Sequence, residues 1–148
     1  MVNTDIVDFS DLDSIKSVLL LLRSSFFNQE INNSQIIDNL SDKFHRFGTF
    51  LVAKKGEEIC GFSAFYSNDL ITYTAFLSMI VVSSNYQGMG IGQLLLNKTI
   101  EICRENNMKH LSLEVDKNNN RAIHFYIKNG FVFLKQKTFK TLIYILDL

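Results

Sequence analysis

Apolar residues change their spacing along the chain, and the spacing marks the elements. Ile15, Val18, Leu19 and Leu22 recur at three- and four-residue steps, as do Ile36, Ile37, Leu40 and Phe44. Each set lines one side of a helix. Ahead of the first helix stands Ser10-Asp11-Leu12-Asp13, which offers Ser10 as an N-cap with an acid three residues on, a capping-box pattern. The second helix is predicted over 34–44. Residues 5–9, Asp-Ile-Val-Asp-Phe, read as a short opening strand.

From residue 50 the pattern turns to strands. Phe50-Leu51-Val52-Ala53, the turn Lys55-Gly56-Glu57 and the run 59–66 make a hairpin. A longer apolar strand, 72–82, runs into Gly88-Met89-Gly90-Ile91-Gly92. A helix follows, with Leu94, Leu95, Thr99, Ile102 and Cys103 at helical spacing, and ends near Asn106-Asn107. Leu111-Ser112-Leu113-Glu114-Val115 alternates as a strand, and 119–128 is a short helix closed by Asn129-Gly130. Strands at 131–134 and 138–146 complete the order β-α-α-β-β-β-α-β-α-β-β. Hairpins mixed with β-α-β crossovers imply a mixed-sheet α/β (α+β) fold carrying helices.

Composition narrows the function classes. A chain of 148 residues without proline, repeat or low-complexity tract is expected to be one domain, 1–148. Fifteen basic side chains balance fifteen acidic ones. That balance lacks the basic footprint of a nucleic-acid binder, so no nucleic-acid partner is expected. No apolar run approaches the roughly 20 residues that span a bilayer, and the early run 18–22 has no basic leader, so neither a membrane nor export is expected. Cys60 and Cys103 fit no metal spacing and no disulfide framework. They read as small buried hydrophobes in a cytoplasmic protein without a metal.

Three of the seven glycines fall between residues 88 and 92, where a strand passes into a helix. Unpaired N–H groups and the helix dipole make such a turn a site for a phosphate. Two familiar phosphate motifs fail here. Gln93-Leu94 follows Gly92 where a P-loop needs Lys and Ser or Thr. Gln93 also stands where the dinucleotide fingerprint needs its third glycine.

What remains is Gln87-x-x-Gly90-x-Gly92, placed directly after Leu77-Ser78-Met79-Ile80-Val81-Val82 and the link 83–86. It resembles the acyl-CoA pyrophosphate loop of the GNAT superfamily of N-acetyltransferases. A second segment agrees: 111–115, then Asn119-x-x-Ala122-x-x-x-Tyr126-x-x-x-Gly130-Phe131, is similar to that family's strand, helix and following strand. Ile59-Cys60-Gly61-Phe62 matches more loosely. The two strong segments cover about 76–134. Ser83-Ser84 replaces the Asp or His with Pro of many relatives.

The resemblance implies a GNAT-like acyl-CoA N-acyltransferase fold with a splayed central strand pair. It implies acetyl-CoA as donor and direct attack on the thioester by a primary amine. The pyrophosphate would lie on backbone N–H groups of Gln87, Gly88, Met89, Gly90, Ile91 and Gly92. The strand at Ile80, Val81 and Val82 would pair with the pantetheine arm, and amides near Val81 and Val82 would polarise the thioester carbonyl. Tyr126 would touch the cofactor and protonate the leaving thiolate. Asn119 would touch CoA as well as cap its helix. Arg121 could touch a CoA phosphate, but reads first as part of a solvated helix face.

No general base stands out. The strand 72–82 carries no acid. Glu114 could act through water or could equally be paired with a Lys or Arg, and Glu30, His45 and His124 depend on the fold. The acceptor site is expected from the first two helices, the link 24–35 and the last two strands. Phe26, Phe27, Glu30, Asp38 and Asp42 lie there, and the three acids could form a rim toward a small-molecule or peptide amine or could equally be solvated helix charges. A different class stays open beside the enzyme, a non-catalytic acyl-CoA sensor or partner-binding module. The apolar C-terminal run 142–146 reads as a buried strand whose edge could pair two copies into a homodimer.

Overall fold

The computed structural model describes residues 3–148. The chain runs β1 (Thr4–Asp8), α1 (Leu12–Leu21), α2 (Ser34–Phe47), β2 (Thr49–Lys55), β3 (Glu58–Tyr66), β4 (Thr74–Val82), α3 (Ile91–Glu105), β5 (His110–Asp116), α4 (Asn120–Lys128), β6 (Val132–Gln136) and β7 (Thr141–Asp147). Short 3-10 turns lie at Arg23–Ser25, Gln29–Ile31 and Ser84–Tyr86. The expected order of elements is therefore present.

Seven strands form one sheet in the order β1-β2-β3-β4-β5-β7-β6. Only the β4–β5 pair is parallel; the others are antiparallel. Both faces of the sheet are covered. Phe50, Val52, Phe62, Ala64 and Val81 pack with Ile15, Val18, Leu19 and Leu22 of the α1 side and with Ile37 and Phe44 of α2. The intervening Leu51, Ala53, Cys60 and Phe65 face Ile91, Leu95, Leu96 and Cys103 of α3, with Tyr126 of α4 in the same core. Burial on both faces explains why the central strands read as continuous apolar runs. One polar pair crosses the second layer: the Ser63 and Thr99 hydroxyls are 2.7 Å apart, and Thr99 donates to the Leu95 carbonyl at 2.8 Å.

Several boundaries differ from the sequence reading, each for a local reason. The cap of α1 is Asp11, whose carboxylate accepts from the Ser14 amide at 3.0 Å. The Ser10 capping box therefore does not form. Helix α2 continues past residue 44 to Phe47, ending at Gly48. Strand β4 starts at Thr74 because 69–73 is a turn: Asp69 accepts from the Ile71 and Thr72 amides, and Tyr73 sits at φ 54°. Residues 137–140 likewise turn, so β7 starts at Thr141 and not at residue 138.

The C-terminal strand is also not an edge. β7 lies between β5 and β6 because β6 folds back along its outer side. Its run 142–146 is half-buried around Tyr144. The homodimer expected from a free β7 edge loses its premise. β6 takes the edge position and exposes Val132, Phe133 and Leu134.

Candidate active site

The parallel pair β4–β5 is joined over only part of its length. Pairing runs from Thr74 opposite His110 to Leu77 opposite Leu113 and ends there. At the same level the β3–β4 register jumps: Ala64 faces Met79 and Phe65 faces Leu77, so Ser78 is an extra residue. A bulge bends its strand, and above Ser78 the strand leaves β5 and opens a groove of about 1220 Å³.

The ladder with β3 decides which backbone groups face that groove. The Ser83 amide donates to the Cys60 carbonyl at 2.8 Å, and Gly61 faces Val82. Antiparallel ladders bond on alternate residues. Val81 and Met79 therefore spend their polar groups on β3, whereas Ile80 and Val82 turn theirs toward the opening. A Cβ built on Gly61 would lie 2.6 Å from the Val81 oxygen, as expected for a carbonyl facing β3. The sequence reading grouped Val81 with Val82 as amide donors; by this alternation the free pair is Ile80 and Val82.

The glycine turn stands at the upper end of the groove. Gly88 and Gly90 have φ of +81° and +79°, a region that L side chains rarely adopt. Gly90 is also the N-cap of α3. Asp11, Asn33 and Asn119 cap α1, α2 and α4 with side-chain oxygens, but α3 has no side-chain cap. The first amides of a helix lack intrahelical acceptors, so those of α3 are left to an outside acceptor. Beyond the adjoining residues of the chain, no atom lies within 4 Å of a Cβ built on Gly88 or Gly90. Gly88, Gly90, Ile91, Gly92 and Gln87 line the groove. Met89 does not share that lining; its side chain is exposed.

Gln87 donates from Nε2 to the Val82 carbonyl at 3.4 Å and accepts from Arg121 Nη1 at 2.6 Å. Arg121 stays exposed on α4, yet it does more than face solvent. It reaches across 34 residues of sequence to the glycine turn and brings the positive charge that Gln87 lacks. Nothing short of the α4–loop approach signals this contact in the sequence. Asn119 accepts from the Ala122 amide at 3.2 Å, forming the expected cap, and lines the groove as well.

Tyr126 lies on α4 between Phe125 and Phe131, with ring centroids at 5.5 and 5.4 Å. It is 8% exposed, and burial pushes its phenol up to about 12. Among the described residues no side chain hydrogen-bonds its hydroxyl, and no buried side-chain polar atom lacks a partner. The hydroxyl therefore reaches the groove surface, which Tyr126 lines.

The other end of the groove is walled by Phe26, Phe27, Ile31 and Leu40, by Met79, and by Thr138 and Lys140 of the β6–β7 turn with Thr141 at the start of β7. The acids expected there are divided. Glu30 and Glu114 line the groove, each with a lysine: Lys140 stands 3.8 Å from Glu30, and Lys137 bonds Glu114. Asp38 and Asp42 do not reach it; they pair with Lys16 at 2.6 Å and Arg46 at 3.1 Å. His45 bonds the Ser10 carbonyl at 2.7 Å, away from the groove, and His124 is exposed on α4. Nothing in the sequence marks the two lysines, because the β6–β7 turn comes against the groove only through the sheet order.

Known proteins similar to this chain share its fold. The acetyltransferase (GNAT) family model matches residues 15–131. A Bacillus subtilis (strain 168) protein provisionally named a ribosomal protein bS18-alanine N-acetyltransferase is 26% identical over 119 residues, covering 80% of this chain and 75% of the relative. A streptothricin acetyltransferase of Streptomyces lavendulae is 32% identical over 90 residues, 57% of this chain but 44% of the relative. Among solved structures, the PaiA N-acetyltransferase of Thermoplasma acidophilum in complex with coenzyme A aligns with a TM-score of 0.76 at 18% identity, covering 99% of both chains. An acetyltransferase of Streptococcus agalactiae 2603 aligns with a TM-score of 0.80 at 18% identity over 98% of both. At such identities the structural likeness speaks for the fold, and the family match over most of the chain speaks for descent: this chain is a member of the acetyltransferase (GNAT) family.

Proposed function

We propose that the chain is a single-domain N-acetyltransferase that moves an acetyl group from acetyl-CoA to a primary amine by direct attack. The observation that carries this reading is the groove itself: an uncapped helix start with open space above Gly88 and Gly90 leads along unpaired β4 backbone to the Tyr126 hydroxyl. The relative named for ribosomal protein alanine supports nitrogen as the acceptor atom.

The pyrophosphate would lie on the amides of residues 87 to 92, beside Arg121. Hydrogen bonds to a charged acceptor are worth roughly 1.5–3 kcal/mol each. The helix dipole adds about 0.3–1 kcal/mol at an exposed end. The amides therefore dominate, and the glycines matter by letting phosphate oxygens reach them. The pantetheine arm would add as a strand to Ile80 and Val82. The Val82 amide would then polarise the thioester carbonyl as the tetrahedral oxyanion forms.

Nitrogen attacks the thioester carbon, the C–S bond breaks, and the nitrogen's surplus proton must end on sulfur. Tyr126 would donate to the sulfur as charge develops and be reprotonated from the nitrogen side through water. A phenol held at about 12 keeps its proton at neutral pH and stands ready as a donor. Such a phenol is a weaker acid than a thiol near 8.5, so its donation is driven by the concurrent return of a proton from the far more acidic acylated nitrogen. Glu114 is bonded to Lys137, so the amine's deprotonation would run through water.

The competing reading, an acyl-CoA sensor without turnover, draws on that same engaged carboxylate. Release of free thiol from acetyl-CoA on addition of amines, with the acetylated amine identified by mass, tests the enzyme. Coenzyme A binding with no thiol release for any amine would turn the assignment to the sensor.

A further inference from the structure

The acceptor end of the groove sets an apolar wall beside two glutamates that are paired with lysines. Phe26, Phe27, Ile31, Ile36, Leu40 and Met79 line it, and Phe27 is 57% exposed, an aromatic face open to solvent. Three carboxylates share this end: two are paired with lysines, and the third keeps its charge beside a backbone amide. Glu30 has Lys140 at 3.8 Å, Glu114 is bonded to Lys137, and Asp116 accepts from the Asn118 amide at 2.8 Å. Both lysines come from one short turn between β6 and β7. A polycation needs free carboxylates spaced to meet its several charges. A single amine on an apolar body needs a wall to lie on and little net charge beside it.

We propose that the acceptor is a single amine carried on an apolar body, and that Lys137 and Lys140 select for it by occupying two of the three carboxylates a polycationic amine would use. This rests on the acetyltransferase reading of the same groove and names its substrate class. Both ion pairs are partly exposed: the side chains of Glu30 and Lys140 are 79% and 52% accessible. Such pairs add little to stability. Their effect here is on which charges a ligand meets, as in specificity gained by removing a competitor's partners. The shared chemistry could come from a free arylalkylamine or from a peptide whose first residues are apolar.

The test is an acceptor panel on the full chain with acetyl-CoA: phenethylamine, a Phe-Leu-Ala peptide with a free N-terminus, spermidine and an aminoglycoside. We expect one of the first two to lead spermidine by roughly tenfold in kcat/KM, the ratio that one exposed charge contact of about 1 kcal/mol or a little more would set. Which of the two leads identifies the source. The Lys137→Gln, Lys140→Gln double variant should narrow that ratio about fivefold in favour of spermidine, through KM, while KM for acetyl-CoA stays the same. Leadership by spermidine or the aminoglycoside overturns the proposal. So does a ratio that the variant leaves unchanged, or a panel without turnover although coenzyme A binds. Failure of coenzyme A to bind at all would instead remove the acetyltransferase reading beneath it.

Discussion

The two ends of the groove are built from different materials. The coenzyme end is backbone: left-handed glycines, an uncapped helix start and strand amides freed by the Ser78 bulge. The acceptor end is side chains: an apolar wall and two glutamate–lysine pairs. A site made of main chain tolerates changes in most side chains and is lost where the backbone itself is changed. A site made of side chains can be retuned one residue at a time. The difference predicts that one end carries the chemistry shared across a family and the other carries the choice of acceptor.

Breaking the backbone end should produce the largest effect. Gly90→Val forces a β-branched residue to φ +79° and fills the open space above the turn. Loss of two or more charged-acceptor bonds should weaken coenzyme A binding by about a hundredfold or more. Coenzyme A should then raise the melting temperature of the wild type and not that of the variant. Next comes Tyr126→Phe, which keeps the ring between Phe125 and Phe131. It should lower kcat by roughly 10–100-fold and leave coenzyme A affinity unchanged, within the lower range of general-acid effects. Unchanged kcat would remove Tyr126 from the chemistry.

Gly61→Ala tests the placement of the open half of β4. Its Cβ would meet the Val81 carbonyl oxygen, a backbone atom, at 2.6 Å. Overpacking of this kind costs roughly 1–3 kcal/mol, read from denaturant midpoints. Arg121→Gln sharpens the charge argument at the glycine turn. It should raise KM for acetyl-CoA by about three- to tenfold at low salt, with the difference shrinking as salt rises.

The smallest effect is alkaline. Tyr126 ionises near 10 when unfolded and about 12 when folded. A raised folded value means that its contribution is complete below pH 10 and is lost as pH rises toward 12. Stability measured by denaturant should therefore fall across that window, and less steeply in Tyr126→Phe.

What the sequence revealed follows the same division. Glycine spacing, helix periodicity and the place of Tyr126 are local, and the structure keeps them at one groove. The partners of Glu114, Glu30 and Gln87 are set by contacts between distant residues: Lys137 lies 23 residues from Glu114, and Arg121 lies 34 from Gln87. No spacing rule reaches that far. The interior position of β7 was hidden for a related reason. An apolar strand at the end of a chain reads the same at an edge as inside a sheet, and only the return of β6 along its flank decides. The α1 cap shows the smallest case. Ser10 and Asp11 are both good caps, and a one-residue shift in the chain entry gives the role to Asp11.

The central claim is that coenzyme A rests on the main-chain amides at the start of α3. Isothermal titration of coenzyme A into the folded protein tests it most directly. The account predicts saturable heat at one molecule per chain for the wild type and its loss in Gly90→Val. No heat with the folded wild type, or the same heat in both proteins, would contradict it.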